Sequence, residues 1–255
     1  MIENELYHTV LILSGFAGLA MAAMLLHGNL AYSDHHIYRR SRRLIALCFA
    51  VFAIGFFMHA NFLWRYTCPV AASALSVSFF HIGSVLIGWS YISLLNSHYL
   101  TKKVIVRDLG ILLIGVTTYW VVALNASQFM PFTPYLSSII FIAHAQYITE
   151  TFNQSYYRVK QQMQDQSMDV SSQKMGWMQL SIYVLFTIGT GSIVLTACLP
   201  AAVWPYPLLL CAGLLVFIYI IFSMNVFGSV IKSGANIPED VTDIDINDIT
   251  VLGLN

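Results

Sequence analysis

The sequence predicts an all-α fold: a polytopic membrane helical bundle of seven transmembrane helices, N-terminus outside and C-terminus inside. Three observations carry that expectation. Of the 255 residues, 58% are hydrophobic and only 9% are charged, against about a quarter charged in an ordinary soluble domain. The apolar residues fall in stretches close to the roughly 20 residues that cross a bilayer. The basic residues crowd into alternate connections between those stretches, as the positive-inside rule requires.

Taken in order, the N-terminus Met1-Ile2-Glu3-Asn4-Glu5 is acidic and lacks the basic start of a cleaved signal peptide. The first span is therefore read over Leu6–Leu26. Next comes Tyr38-Arg39-Arg40-Ser41-Arg42-Arg43, which holds four of the chain's twelve Lys and Arg. Moving guanidinium groups through hydrocarbon is costly, so Arg39, Arg40, Arg42 and Arg43 are the topology determinants that stay on the cytoplasmic side. The second span, Leu44–Trp64, then runs outward, and Ala71–Leu95, Leu109–Asn125, Tyr135–Phe152, Gln179–Leu199 and Leu208–Val230 follow in alternation. The fifth is the least apolar, because it carries His144, Gln146 and Glu150.

Eleven of the twelve basic residues fall on the inner side in this arrangement, and Arg65 alone falls outside. Proline agrees independently. Pro69, Pro131, Pro134, Pro200, Pro205 and Pro207 lie in the outer connections, and none interrupts a span, where it would remove a backbone hydrogen bond. The longest inner connection, Asn153–Met178, reads as an inward extension of the fifth helix followed by a link. Residues 1–232 form the transmembrane domain. Residues 233–255, with Glu239, Asp240, Asp243, Asp245 and Asp248, form a flexible acidic cytoplasmic tail.

Histidines His59, His81 and His144 lie within spans. At 1.5 Å per residue from the nearest outer end, His59 sits roughly 8 Å deep, and His81 and His144 roughly 14–15 Å deep. Polar groups at mid-membrane face the bundle interior and pair there. His81 and His144 are therefore expected to share a polar pocket, with His59, Ser78 and Ser84 as further lining candidates. Three sharp readings are open: bis-histidine haem, a metal site, or a pocket for a small ligand. The plain alternative is separate neutral histidines bonded to serines or carbonyls. The small residues of the third span, Ser73 to Ser93 with Gly83 and Gly88, place it at the bundle centre, chiefly for packing.

Several chemistries drop out. No lysine lies in a span, so a retinal Schiff base is excluded. Asp243-x-Asp245-x-Asn247 opens like a calcium loop, but Asp248 stands where glycine is required and Leu254 where glutamate is. Four cysteines without repeated spacing make neither a disulfide framework nor a zinc motif. No nucleophile elbow, zincin or Walker pattern is present, and the expectation is no catalytic residue, no metal and no cofactor. No aspartate lies in a span as drawn, and Glu150 is near an inner end, which argues against a proton-coupled carrier.

The motifs Gly55-Phe56-Phe57-Met58-His59, Ser78-Phe79-Phe80-His81-Ile82-Gly83 and Val106-Arg107-Asp108, together with Arg39–Leu44, carry a resemblance. Over roughly residues 1–240 the chain resembles the N-terminal membrane region of bacterial AraC-type transcriptional regulators. That resemblance implies a multi-pass protein of the bacterial cytoplasmic (inner) membrane with a sensory role and an output through DNA. The basic, groove-entering helix of a DNA reader does not occur in this chain, and the acidic tail repels DNA. The expectation is therefore a truncated or split regulator, or a stand-alone sensor, with no direct nucleic-acid binding of its own. Its partners are the lipid bilayer, a cytoplasmic protein or DNA-binding output domain reached through the tail, and an unknown small molecule. The alternatives kept open are a membrane haem or redox protein and a small-solute carrier.

Overall fold

A computed structural model of the chain describes residues 2–27, 36–125, 133–165, 175–198 and 205–232. Among these the secondary structure is helical, with no strand. The helices are α1 (Ile2–His27), α2 (His36–Phe62), the single turn α3 (Trp64–Thr67), α4 (Pro69–Leu95), α5 (Lys102–Leu124), α6 (Thr133–Asp165), α7 (Gly176–Cys198) and α8 (Pro205–Lys232). Six of them, α1, α2, α4, α5, α7 and α8, are long and apolar enough to cross a membrane. The longest, α6, has 33 residues. It is the least apolar of the seven long helices because His144, Gln146 and Glu150 sit in its middle. Gln146 and Glu150 face outward and bond to each other at 2.8 Å, one turn apart.

Three of the boundaries that depart from those read off the hydropathy carry charged residues or a proline into helices. Helix α2 begins at His36, so Arg39, Arg40, Arg42 and Arg43 are helical rather than part of a connection; Arg42 is buried and Arg43 exposed. That helix ends where Leu63 takes a left-handed φ of 50°, uncommon for a residue with a Cβ. The chain then makes α3 and enters α4 with Pro69 in the first turn, where its missing N–H has no intrahelical partner to lose. At α5 the Thr101 hydroxyl accepts from the Val104 N–H at 3.3 Å. This cap starts the helix at Lys102 and brings Arg107 and Asp108 inside it. The expectation that no aspartate lies in a span is thereby corrected: the membrane-length helix Lys102–Leu124 contains Asp108.

Helix α4 is the centre, packed against α2, α3, α5, α6 and α7. Its glycines allow this. A Cβ on Gly83 would lie 2.4 Å from the Phe52 ring of α2, and one on Gly88 would lie 2.2 Å from Ile148 of α6, so both neighbours seat on bare backbone. Helix α1 packs on α2 and α8, α8 on α7, and α7 on α6. Seven long helices alternate in direction. Tyr38, at the start of α2, donates to the Met224 carbonyl late in α8 at 3.0 Å, and Ser41 bonds Ser90 late in α4. The arginine cluster thus marks one end of the bundle. Tyr7, Tyr66 and Tyr206, with ring centroids 6.1–6.2 Å from Tyr7, mark the opposite end.

The exterior is apolar. Leu13, Phe16, Leu113, Ile114, Leu215 and Phe222 are each more than 60% exposed. Such a belt is an association liability in water and a matching surface in hydrocarbon. The acidic tail, the connections holding Pro131 and Pro200, and Lys174 lie outside the described residues.

Candidate functional site

Helices α4, α5 and α6 meet around His81, which is completely buried. Its Nε2 stands 2.7 Å from Nδ1 of His144 on α6, and its Nδ1 stands 3.0 Å from the hydroxyl of Tyr119 on α5. The room for this ring comes from Gly115. A Cβ there would meet His81 Cε1 at 2.9 Å and Nδ1 at 3.0 Å, so only glycine lets α5 close on the imidazole.

The far nitrogen of His144, Nε2, faces Asp108 Oδ1 at 3.7 Å, an electrostatic approach longer than a hydrogen bond, and has no hydrogen-bond partner among the described residues. Asp108 is itself fully buried. Its Oδ1 accepts from Arg107 Nε at 2.8 Å, and its Oδ2 accepts from Trp89 Nε1 at 2.7 Å. Arg107 then reaches the bundle surface, where its Nη1 donates to the Tyr147 hydroxyl at 2.6 Å. The result is one polar chain, Tyr119–His81–His144–Asp108, closed at its last member by Arg107 and Trp89. Asp108 and Tyr119 are eleven residues apart on α5, so the chain covers about 16 Å along the helix axis, half of a roughly 30 Å hydrocarbon core.

Acceptor counting assigns its polarity. A carboxylate that accepts N–H groups on both oxygens has no proton to give, so His144 presents Nε2–H toward it. Then His144 Nδ1 is the acceptor, His81 Nε2–H the donor, His81 Nδ1 the next acceptor and the Tyr119 O–H the last donor. Every donor points the same way, toward Asp108. The tautomers are inferred from this network. Protonating Asp108 would remove the negative charge that faces His144 Nε2 and favour the reverse polarity through both imidazoles. Beside this end, in the α4–α5 connection, burial pushes the Tyr99 phenol up to about 12, the Asp108 charge adding to the rise.

Haem or metal ligation does not fit the pair. Axial imidazoles on one iron stand about 4 Å apart, nitrogen to nitrogen, by ordinary metal–nitrogen lengths of about 2 Å. These two nitrogens are already bonded at 2.7 Å. Among the described residues no cluster of three His, Cys, Asp or Glu is placed to hold a metal ion.

The other sequence candidates go elsewhere. Ser78 donates to the Ala74 carbonyl at 2.7 Å and Ser84 to the His81 carbonyl at 2.9 Å; each serves its own helix and neither bonds an imidazole. His59 belongs to a second cluster at the opposite end of the bundle. Its Nε2 meets Ser76 Oγ at 3.0 Å, and Arg65 Nη2 donates to the same oxygen at 3.2 Å. The Arg65 guanidinium lies 4.0 Å over the Tyr206 ring. Arg39, Arg40, Arg42 and Arg43 gather at the end of the bundle opposite the His59 cluster, where Ser41 between them bonds Ser90 beside Trp89.

Asp108, Gly115, Tyr119 and Trp89 are absent from the sequence candidates. One signal for them is the spacing of α5. Its buried residues are Asp108, Gly115, Tyr119 and Val122, the i, i+7, i+11, i+14 face of a helix. Two of those four, Asp108 and Tyr119, belong to the polar chain, and Gly115 makes room for it. No protein-family model, curated protein or solved structure matches this chain.

Proposed function

We propose that the protein is a seven-span sensory module of a bacterial cytoplasmic membrane, with no catalysis of its own. Its N-terminus is outside and its C-terminus inside, and it passes a signal to the cytoplasmic side. The seven-span reading adds α6 to the six apolar helices, because α6 lies parallel to α4 within the same bundle and buries His144 against it. The orientation follows from the charges, since the arginine cluster and the basic start of α5 share one end.

The observation that carries the sensory reading is the buried Tyr119–His81–His144–Asp108 chain. Intramembrane ionisable groups are costly and mark functional positions by default. This chain ties α5 and α4 to α6, whose 33 residues extend about 50 Å, well beyond the hydrocarbon. A change of polarity at mid-membrane therefore acts on a helix that projects past the basic end. Output to transcription rests on the resemblance of residues 1–240 and is part of the proposal.

The test is a distance measurement between spin labels at Arg43 and at Gln161, both exposed, in bilayers and with the other exposed cysteines removed. Asp108→Asn and His81→Gln should shift the distribution relative to wild type. Identical distributions in all three folded proteins would contradict coupling between the chain and α6.

One observation favours a second reading, a proton-coupled carrier: Asp108 lies within a membrane-length helix and ends a histidine chain. Proton entry into vesicles under an imposed gradient, lost in Asp108→Asn, would select it over the sensor.

A further inference from the structure

A cavity of about 150 Å³ opens inside the bundle, apart from the histidine chain and walled by six long helices and the single turn α3. Its two ends differ in chemistry. Arg65, His59 and Ser76 line one end, with Tyr7 and Tyr206 beside them. From there the wall is mainly apolar down to Phe52, Ile87, Ile148 and Phe217, and the hydroxyls of Ser84, Thr149 and Ser192 along it donate to carbonyls of their own helices. Ser76 and Ile87 are eleven residues apart on α4, and Tyr206 and Phe217 are eleven apart on α8, so the space runs about 16 Å along the helices. A space of that length, charged at one end and mainly apolar along the rest, takes an amphiphile with one polar head and one extended chain.

The polar end is built for an anion. Arg65 is 2% exposed, so its charge is held in a low-dielectric setting where pairing is strong. A guanidinium offers two parallel N–H groups to the two oxygens of a carboxylate. His59 is 7% exposed, and its Nε2 meets the Ser76 oxygen that also accepts from Arg65, so the imidazole braces the guanidinium at this end.

We propose that this cavity binds an unbranched medium-chain carboxylate, its head at Arg65 and its chain between Phe52, Ile148 and Phe217. The occupant is an amphiphile entering from the end of the bundle opposite the arginine cluster. This site is independent of the sensory reading, because binding is measured without any output. If the sensory reading also holds, such a molecule is its stimulus.

The test is equilibrium binding of labelled decanoate to the full chain in nanodiscs, corrected for partition into empty nanodiscs. Wild type should bind saturably, and decanol should bind more weakly by about ten- to hundredfold, the weight of charge-assisted hydrogen bonds. Arg65→Gln should remove that preference for decanoate. Since Arg65 also packs on Tyr206, a second variant guards against misfolding. Gly213 lines the cavity, and a Cβ there meets nothing within 4 Å, so Gly213→Leu should fold and block both ligands. No saturable decanoate binding in wild type overturns the proposal. Equal affinity for decanol, or unchanged decanoate binding in a folded Gly213→Leu protein, overturns it as well.

Discussion

Gly115 shows how much a single residue decides here. Adding one methyl would place a carbon 2.9 Å from His81 Cε1, inside the range where something must move. Gly115→Ala should destabilise by about 1–3 kcal/mol, the usual cost of overpacking, and weaken the Tyr119–His81 bond with it. Gly110, on the same helix, meets nothing within 4 Å. Gly110→Ala should be neutral or stabilising by up to about 1 kcal/mol. Unfolding of the two variants under one denaturing gradient checks the contrast, and equal losses would contradict the crowding argument. Asp108 makes the matching case for polar groups. Asp108→Ala leaves the Trp89 N–H without its acceptor and should cost about 1–3 kcal/mol more than a surface carboxylate does.

Between elements, the histidine pair is the tie of α4 to α6. A double-mutant cycle on His81→Gln and His144→Gln should return a coupling of about 0.6–1.7 kcal/mol, the range measured for interhelical hydrogen bonds in membranes. The cycle of His81 with His59 should return none, since His59 bonds Ser76 at the far end. Depth counting at a fixed rise per residue was enough to put His81 and His144 at one level, and the rings do meet there. The same counting set His59 shallower. What the sequence hid was the partner set. Asp108 adjoins Arg107, and a charged pair at the edge of an apolar run reads as the edge of the span. The cap at Thr101 carries the helix through it, and the charge becomes interior. Tyr119 and Gly115 have no polar signature at all, because an aromatic and a glycine are routine in any membrane helix. Ser78 and Ser84 were plausible by proximity, yet a serine in a helix satisfies itself on the carbonyl three or four residues back.

For the molecule as a whole, class and helix order were legible from composition, since apolar length and charge placement are long-range, redundant signals. Helix α6 is not among the six helices apolar enough to cross a membrane, and its exposed Gln146–Glu150 pair shows why: two polar groups on the outer face dilute its hydropathy. Orientation is testable with reporter fusions after Asn125 and after Ile231, expected outside and inside respectively. Arg42 is buried while Arg39, Arg40 and Arg43 are more accessible. Neutralising those three alone should therefore lower the fraction inserted in this orientation with little cost to packing. An unaltered reporter pattern would move the cause of orientation elsewhere.

Nitrogen NMR decides whether the His81 and His144 imidazoles share one hydrogen bond within a directed chain. The full protein, labelled with ¹⁵N-histidine and reconstituted in lipid bilayers, should give one nitrogen–nitrogen correlation transmitted through a hydrogen bond. That signal should link His81 Nε2 to His144 Nδ1 and vanish in His81→Gln and in His144→Gln. It should also change in Asp108→Asn, which alters the acceptor that sets the polarity. Two uncorrelated histidines in the folded wild-type protein would contradict the account.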